Sequence, residues 1–160
     1  MQSVPTPFEY RDSVRPEWID PNGHMNIAHY VVVFDKASDG VFAHLGFDWS
    51  RMLAQDRSAF VLGMNLDYHD EIFEGEALRI TTQLLDWDHK RMHLFHRLHR
   101  GEAQAAAATS EVLFSFVCMV ERRSARWPEA IQAGLARVAA AHAALGVPEG
   151  AFRKLGIRRR

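Results

Sequence analysis

The sequence predicts an α+β fold in which an antiparallel sheet wraps around one long buried helix. Three observations carry this. Residues 26–45 form a breaker-free apolar segment that repeats at three- and four-residue intervals, segments between about residues 60 and 120 alternate with period two, and polar or glycine-bearing turns separate those segments. At 160 residues, 48% hydrophobic and 24% charged, the chain fits a single domain over 1–160 whose core needs neither disulfide nor structural metal.

After an extended lead-in containing Pro5 and Pro7, Phe8–Val14 reads as a first strand, ended by Pro16. Asn26 suits a helix N-cap and Gly46 the position just past a C-terminus. Between them Ile27, Tyr30, Val31, Phe34, Ala37, Val41 and Leu45 recur with helical spacing. The triplet Val31-Val32-Val33 has strand propensity, but a strand would leave Asp35, Lys36, Ser38 and Asp39 without a turn, so a helix over about 26–45 is the better reading. Its first half is apolar around most of its circumference, which predicts deep burial.

Beyond it, Phe60, Leu62, Met64, Leu66 and Tyr68 are expected on one strand face, with Gly63, Asn65, Asp67 and His69 on the other. A turn region at 71–75 leads into a strand with Leu78, Ile80, Thr82 and Leu84. Residues 86–90 read as a hairpin connection into Met92, Leu94, His96 and Leu98. Gly101 marks another turn, the four alanines at 105–108 are too few for a linker, and Val112, Phe114, Phe116, Cys118 and Val120 complete a last long strand. A second helix spans about 128–145: Pro128 suits its first position, Gly146 its end, and Pro148 blocks extension. Its face of Ile131, Leu135, Val138, His142 and Leu145 is expected to pack on the domain or on a partner subunit, and the tail Arg158-Arg159-Arg160 reads as a solvated end.

A net charge of −1 gives no basic field for nucleic acid or an anionic membrane. The start Met1-Gln2-Ser3-Val4-Pro5 has neither a basic nor an apolar run, and no stretch approaches the roughly 18 apolar residues of a membrane span. With one cysteine, these features predict a cytoplasmic protein.

The sequence lacks G-x-S-x-G, Walker and G-x-G-x-x-G motifs. Cys118, inside the apolar run 113–120, reads as a small hydrophobe. On a strand, His96 faces away from His93 and His99, which lie roughly 20 Å apart. They are therefore expected to be paired or solvated histidines in a polar hairpin, and no metal is expected. The loop Asp20-Pro21-Asn22-Gly23-His24-Met25-Asn26 is different. It gathers a carboxylate, two amides, a glycine and a histidine directly before the long helix. A helix N-terminus offers free N–H groups and partial positive charge to a polarised carbonyl. Asp20 beside it is placed to attack that carbonyl or activate a water, although the same residue types also simply cap and turn a chain.

The segment from Asp20 to Tyr30 resembles the D-x-x-G-H-x-N-x-x-x-Y signature of the 4-hydroxybenzoyl-CoA thioesterase superfamily, whose fold is the hotdog fold. Pro16–Asp20, and Thr81–His96 as T-T-Q-L-L-D-W-D-H-K-R-M-H-L-F-H, are similar to betainyl-CoA thioesterase domains fused to L-carnitine dehydrogenases. The likeness covers roughly residues 10–120. It implies an acyl-CoA thioesterase with Asp20 as catalytic carboxylate, Gly23 and His24 near the thioester, and Asn26 and Tyr30 at the start of the helix. Some relatives use an acid from the helix, which makes Asp35 and Asp39 further candidates. The resemblance also implies Lys90 and Arg91 as CoA-phosphate ligands. For a cationic acyl group, Trp18, Trp49, Trp87 and Tyr68 are available as cage aromatics. No cofactor or metal is implied, and a homodimer or homotetramer is. The rival readings are a hotdog dehydratase or hydratase, in which His24 and Asp20 would abstract a proton, and a non-catalytic acyl-CoA-binding module.

Overall fold

The computed structural model describes residues 3–158, so the last two arginines of the tail lie outside it. In chain order the elements are β1 (Phe8–Ser13), α1 (Ile27–His44), α2 (Trp49–Ala54), β2 (Arg57–Tyr68), β3 (Ala77–Trp87), β4 (Arg91–Arg100), β5 (Ala108–Cys118), β6 (Arg123–Ser124) and α3 (Glu129–His142). The sheet is antiparallel, in the order β1-β3-β4-β5-β2, with the short β6 on β5. It curls around α1, the expected α+β arrangement.

The ends of α1 form as the sequence expects. The Asn26 side chain accepts from the Ala28 amide at 3.0 Å, and Gly46 follows the helix with φ +76°. One face buries Tyr30, Val33, Phe34, Ala37 and Val41 against the sheet. Burying Val33, Phe34 or Val41 contributes roughly 1.5–3 kcal/mol each relative to exposure. The first half is less buried than expected: Ile27 is 61% exposed, and Val31 and Val32 are 40% exposed. Three valines in succession cannot all face one sheet on a 3.6-residue helix.

Strand β2 carries a second correction. Its register shifts between Val61 and Gly63, leaving Leu62 as an extra residue. Before the bulge Val61 opposes Phe114, and after it Met64 opposes Val112, so these share the core face. Phe60 consequently points outward rather than sharing a face with Met64. The last long strand also ends earlier than expected, at Cys118. The chain turns through Val120, with Arg122 at φ +56°, and pairs back as β6. Helix α2 was not anticipated; Asp48 caps it by accepting from the Arg51 amide at 2.9 Å.

Helix α3 packs on its own chain. Ile131, Leu135 and Val138 join Val41, Phe42, Leu45, Phe116 and Trp127 in one core cluster, while Leu145 is exposed. Pro128 is the N-cap rather than the first helical residue. His142 closes the end: its Nδ1 accepts from the Leu84 amide at 2.9 Å, and its Nε2 donates to the Pro5 carbonyl at 2.8 Å. A second cluster gathers around the other half of α1, with Trp18, Met25, Tyr30, Ile72, Leu78 and Leu98.

His93, His96 and His99 are all buried, not solvated, although they do alternate in facing as expected. His96 faces α1. His93 and His99 face outward but are covered: His93 bonds the Glu111 carboxylate at 3.2 Å, and His99 Nδ1 donates to the Ala105 carbonyl. The C-terminal segment covers part of this outer face. The Gln83 amide donates to the Gly146 carbonyl, Phe152 sets its ring edge-on to His93, and the Leu155 side chain lies 3.2 Å from where a Cβ at Gly63 would stand.

Candidate active site

The Asp20–Asn26 loop is held at both ends by backbone bonds. Ile19 bridges to Met25, the Asn26 amide donates to the Trp18 carbonyl at 2.8 Å, and the Met25 amide donates to the Ile72 carbonyl at 2.7 Å. Within the loop, the Asp20 amide donates to the His24 carbonyl and the Gly23 amide to the Asp20 carbonyl. Gly23 sits at φ +85°, a conformation that strongly favours glycine. Beneath the loop Trp18 is buried and stacks on His29, with ring centroids 5.0 Å apart. The sequence thus builds a fixed platform immediately ahead of α1.

The Asp20 carboxylate accepts from the Asn22 amide at 2.8 Å and lies 4.0 Å from His24 Nδ1. His24 Nδ1 donates to the Met25 carbonyl at 3.3 Å, and its Nε2 faces Glu71 at 3.8 Å. His24 in turn forms a wall of a pocket of about 500 Å³, together with Ile27, Tyr30, Tyr68, Asp70 and Glu71. Tyr30 and Tyr68 meet edge to face with centroids 5.0 Å apart, and the Tyr68 hydroxyl is 3.4 Å from the Ile27 carbonyl. The Tyr30 hydroxyl is pushed up to about 12, first by burial and then by Tyr68, Asp70, Glu71 and Asp20. Negative charge therefore gathers around this pocket, countered by the positive end of α1 and by Arg100, which pairs with Asp70 at 3.1 Å.

The structure brings His24, Tyr30 and Tyr68 to one pocket, with Gly23 and Asn26 in the adjoining loop. Asp20 stands behind His24 rather than on the pocket wall. Asn26 uses its side chain to cap α1, which occupies one of the free N–H groups at the helix start. Trp87, Lys90 and Arg91 lie elsewhere, at the β3–β4 hairpin. There Trp87 packs with the cluster around the C-terminal half of α1. Asp88 accepts from the Lys90 and Arg91 amides and pairs with the Arg91 guanidinium. Trp49 packs against Phe42 and Phe47 in that same region. On α1, Asp35 and Asp39 are both exposed; burial and Asp35 raise the Asp39 carboxyl. Among the described residues, no three His, Cys, Asp or Glu side chains gather as a metal site, and no helix is long and apolar enough to cross a membrane.

Sequence reasoning missed His69, Asp70 and Glu71 as pocket residues. They follow β2 directly, and tertiary contacts, among them the 2.7 Å bond from Met25 to Ile72 and the approach of Tyr68 to the Ile27 carbonyl, draw this distant segment beside the loop. Two adjacent acids after a strand gave no local signal beyond a turn.

Comparison with known proteins agrees with this geometry. Residues 14–135 match the thioesterase-like superfamily. The chain is 38% identical to a betainyl-CoA thioesterase of Pseudomonas aeruginosa, over 92% of this chain and 93% of that one. It is 33% identical to an L-carnitine dehydrogenase/betainyl-CoA thioesterase of a Rhizobium species, over 91% of this chain but only 29% of that longer protein. Similarity therefore runs beyond residue 120 and takes in the C-terminal helix. In three dimensions the chain is similar to a Staphylococcus aureus protein solved in complex with CoA, with a TM-score of 0.86, 26% identity and 99% of each chain covered. It shares its fold with 1,4-dihydroxy-2-naphthoyl-CoA thioesterase from Synechocystis, with a TM-score of 0.75, 14% identity, and 81% of this chain and 96% of that one covered. A sheet curled on a buried helix, a match over most of the sequence and these relatives agree: the chain belongs to the thioesterase-like superfamily of hotdog proteins.

Proposed function

We propose that this chain hydrolyses an acyl-CoA thioester to a free acid and CoA, and that its acyl group is small and cationic, as in betainyl-CoA. The observation that carries the reading is the Asp20–His24 loop set beside the pocket of Tyr30, Tyr68, Asp70 and Glu71. A cationic head group gains from aromatic faces and from nearby carboxylates. An anionic acyl group would be repelled by the same residues.

In this reading Asp20 is the general base or the nucleophile. As base it takes a proton from a water that attacks the carbonyl carbon; the C–S bond then breaks, and the CoA sulfur leaves as thiolate and is protonated. The position of Asp20 behind His24 favours action through a water over direct attack. Charge developing on the carbonyl oxygen meets the N-terminal end of α1, where Gly23, His24 and Asn26 shape the approach.

The assembly we propose is a homodimer or homotetramer. Strand β2 is a sheet edge 12 residues long, and Phe60, Val61 and Leu62 on it are 37%, 50% and 58% exposed. Long apolar edges call for a partner. Lys90 and Arg91 would contact substrate only where a neighbouring subunit supplied them. A lone, buried cysteine fits a reducing compartment, and the cytoplasm is the proposed setting. The test is free-thiol release across cationic, neutral, anionic and aromatic acyl-CoAs. Fastest turnover of betainyl-CoA supports the reading, and conversion of enoyl-CoA without thiol release would replace it with a hydratase.

A further inference from the structure

We infer that the outer face of the sheet carries the site for the CoA nucleotide, with Arg97 and Arg153 as its phosphate ligands. The inference rests on the thioesterase reading and extends it to the other end of the substrate.

A crevice of about 370 Å³ lies on the side of the sheet away from α1. Asp67 of β2, Thr109 of β5 and Arg97 of β4 stand directly across from one another in register, so their side chains share this face. Glu149 and Arg153 of the C-terminal segment form the opposite wall, and Gln104 closes one side. His69 lines both this crevice and the acyl pocket, so the two cavities adjoin at this residue, just past the end of β2. From β2 to β4 is two strand spacings, roughly 10 Å. An extended pantetheine arm spans that easily.

The charges are arranged for a nucleotide. Neither Arg97 nor Arg153 forms an ion pair among the described residues, whereas Arg91 is committed to Asp88 and Arg100 to Asp70 and Glu76. The Arg97 guanidinium is steadied 5.4 Å from the centre of the Phe95 ring, which leaves its N–H groups for an anion. The lining is not uniformly basic: Asp67 accepts from the Asn65 amide at 3.1 Å, and Glu149 faces in from the far wall. Phosphates suit the two guanidinium groups. Ribose hydroxyls and an adenine amino group are donors that suit the carboxylates and Gln104. A simple anion would find this crevice half repulsive; a phosphorylated nucleoside has a partner for each sign.

The test combines calorimetric binding of CoA and of pantetheine with kinetics on betainyl-CoA and betainyl-pantetheine. Arg97→Gln and Arg153→Gln are each expected to weaken CoA binding and raise KM for betainyl-CoA about tenfold, the scale of one charge-assisted contact. In both variants kcat for betainyl-CoA, pantetheine binding and KM for betainyl-pantetheine should be unchanged. Arg153 lies in the covering segment rather than in the sheet, so its variant keeps the test sound if Arg97→Gln disturbs folding. Unchanged CoA binding in Arg153→Gln, or loss of CoA binding in Lys90→Ala instead, overturns the inference. If the wild type binds CoA through these arginines yet hydrolyses no thioester, the functional reading fails and the nucleotide site stands.

Discussion

His96 Nε2 donates to Ser38 Oγ across 3.1 Å, tying strand β4 to the middle of α1 inside the core. The proton positions follow from the neighbours. Ser38 spends its hydroxyl proton on the Phe34 carbonyl at 3.0 Å, so His96 must be the donor at Nε2. Its Nδ1 then accepts from the Thr82 hydroxyl at 2.8 Å. The relay runs β3 to β4 to α1 with every polar atom used, and it requires a neutral imidazole.

Burial pushes the His96 imidazolium down to about 3. An unfolded histidine titrates near 6.5, so between those values the unfolded chain binds the extra proton. Stability from this residue is complete above about pH 6.5 and falls as pH drops towards about 3, by about 1.4 kcal/mol per pH unit. His142, lowered by burial and partly countered by its bond to Pro5, contributes in the same direction. Urea unfolding at pH 7.5, 5.5 and 4.5 should show this decline, and His96→Gln should flatten part of it. A stability flat from 7.5 to 4.5 would contradict the neutral relay.

Glu111 and His93 form a buried pair, 1% and 0% exposed, with His93 Nδ1 and Glu111 Oε1 left unpartnered among the described residues. Removing one member leaves the other polar group stranded. Glu111→Ala or His93→Ala should each cost about 3–5 kcal/mol, and Glu111→Leu with His93→Leu together should cost less than the two single leucine changes summed. Denaturant midpoints decide it; simple additivity would mean that the pair does not interact.

Asp70→Asn and Glu71→Gln remove negative charge at the rim of the acyl pocket. Each should lower kcat/KM for betainyl-CoA about fivefold, roughly 1 kcal/mol, while sparing a neutral acyl-CoA of similar size. Equal losses on both substrates would show that these acids shape the pocket without selecting charge.

Leu62, the bulged residue of β2, sits on the exposed apolar edge. Leu62→Lys should shift the protein towards monomer by sedimentation, because a buried lysine at an interface is costly. An unchanged sedimentation coefficient would place the subunit contact elsewhere.

Much of this was legible locally. Asn26 and Gly46 bracket α1, and alternation locates β3 and β4, because caps and periodicity are short-range properties. The β2 bulge was not legible: one extra residue at Leu62 leaves every residue type plausible on either face. Burial of His93 and His99 was also hidden, since histidines on such strands read as paired or solvated until Phe152 is seen against His93 and the Ala105 carbonyl against His99. At the candidate site, the motif singles out Asp20, Gly23, His24 and Asn26, which the structure gathers in one loop ahead of α1. The contribution of Asp70 and Glu71 needed the tertiary bond between Met25 and Ile72.

The most direct measurement is the rate of CoA release from betainyl-CoA by Asp20→Asn beside the wild type. Asparagine keeps the size of the side chain and its acceptor for the Asn22 amide but cannot take a proton. The expected result is a fall in kcat of about 10²–10⁴-fold with CoA binding and thermal stability retained. Turnover as fast as wild type would contradict the assignment of catalysis to Asp20.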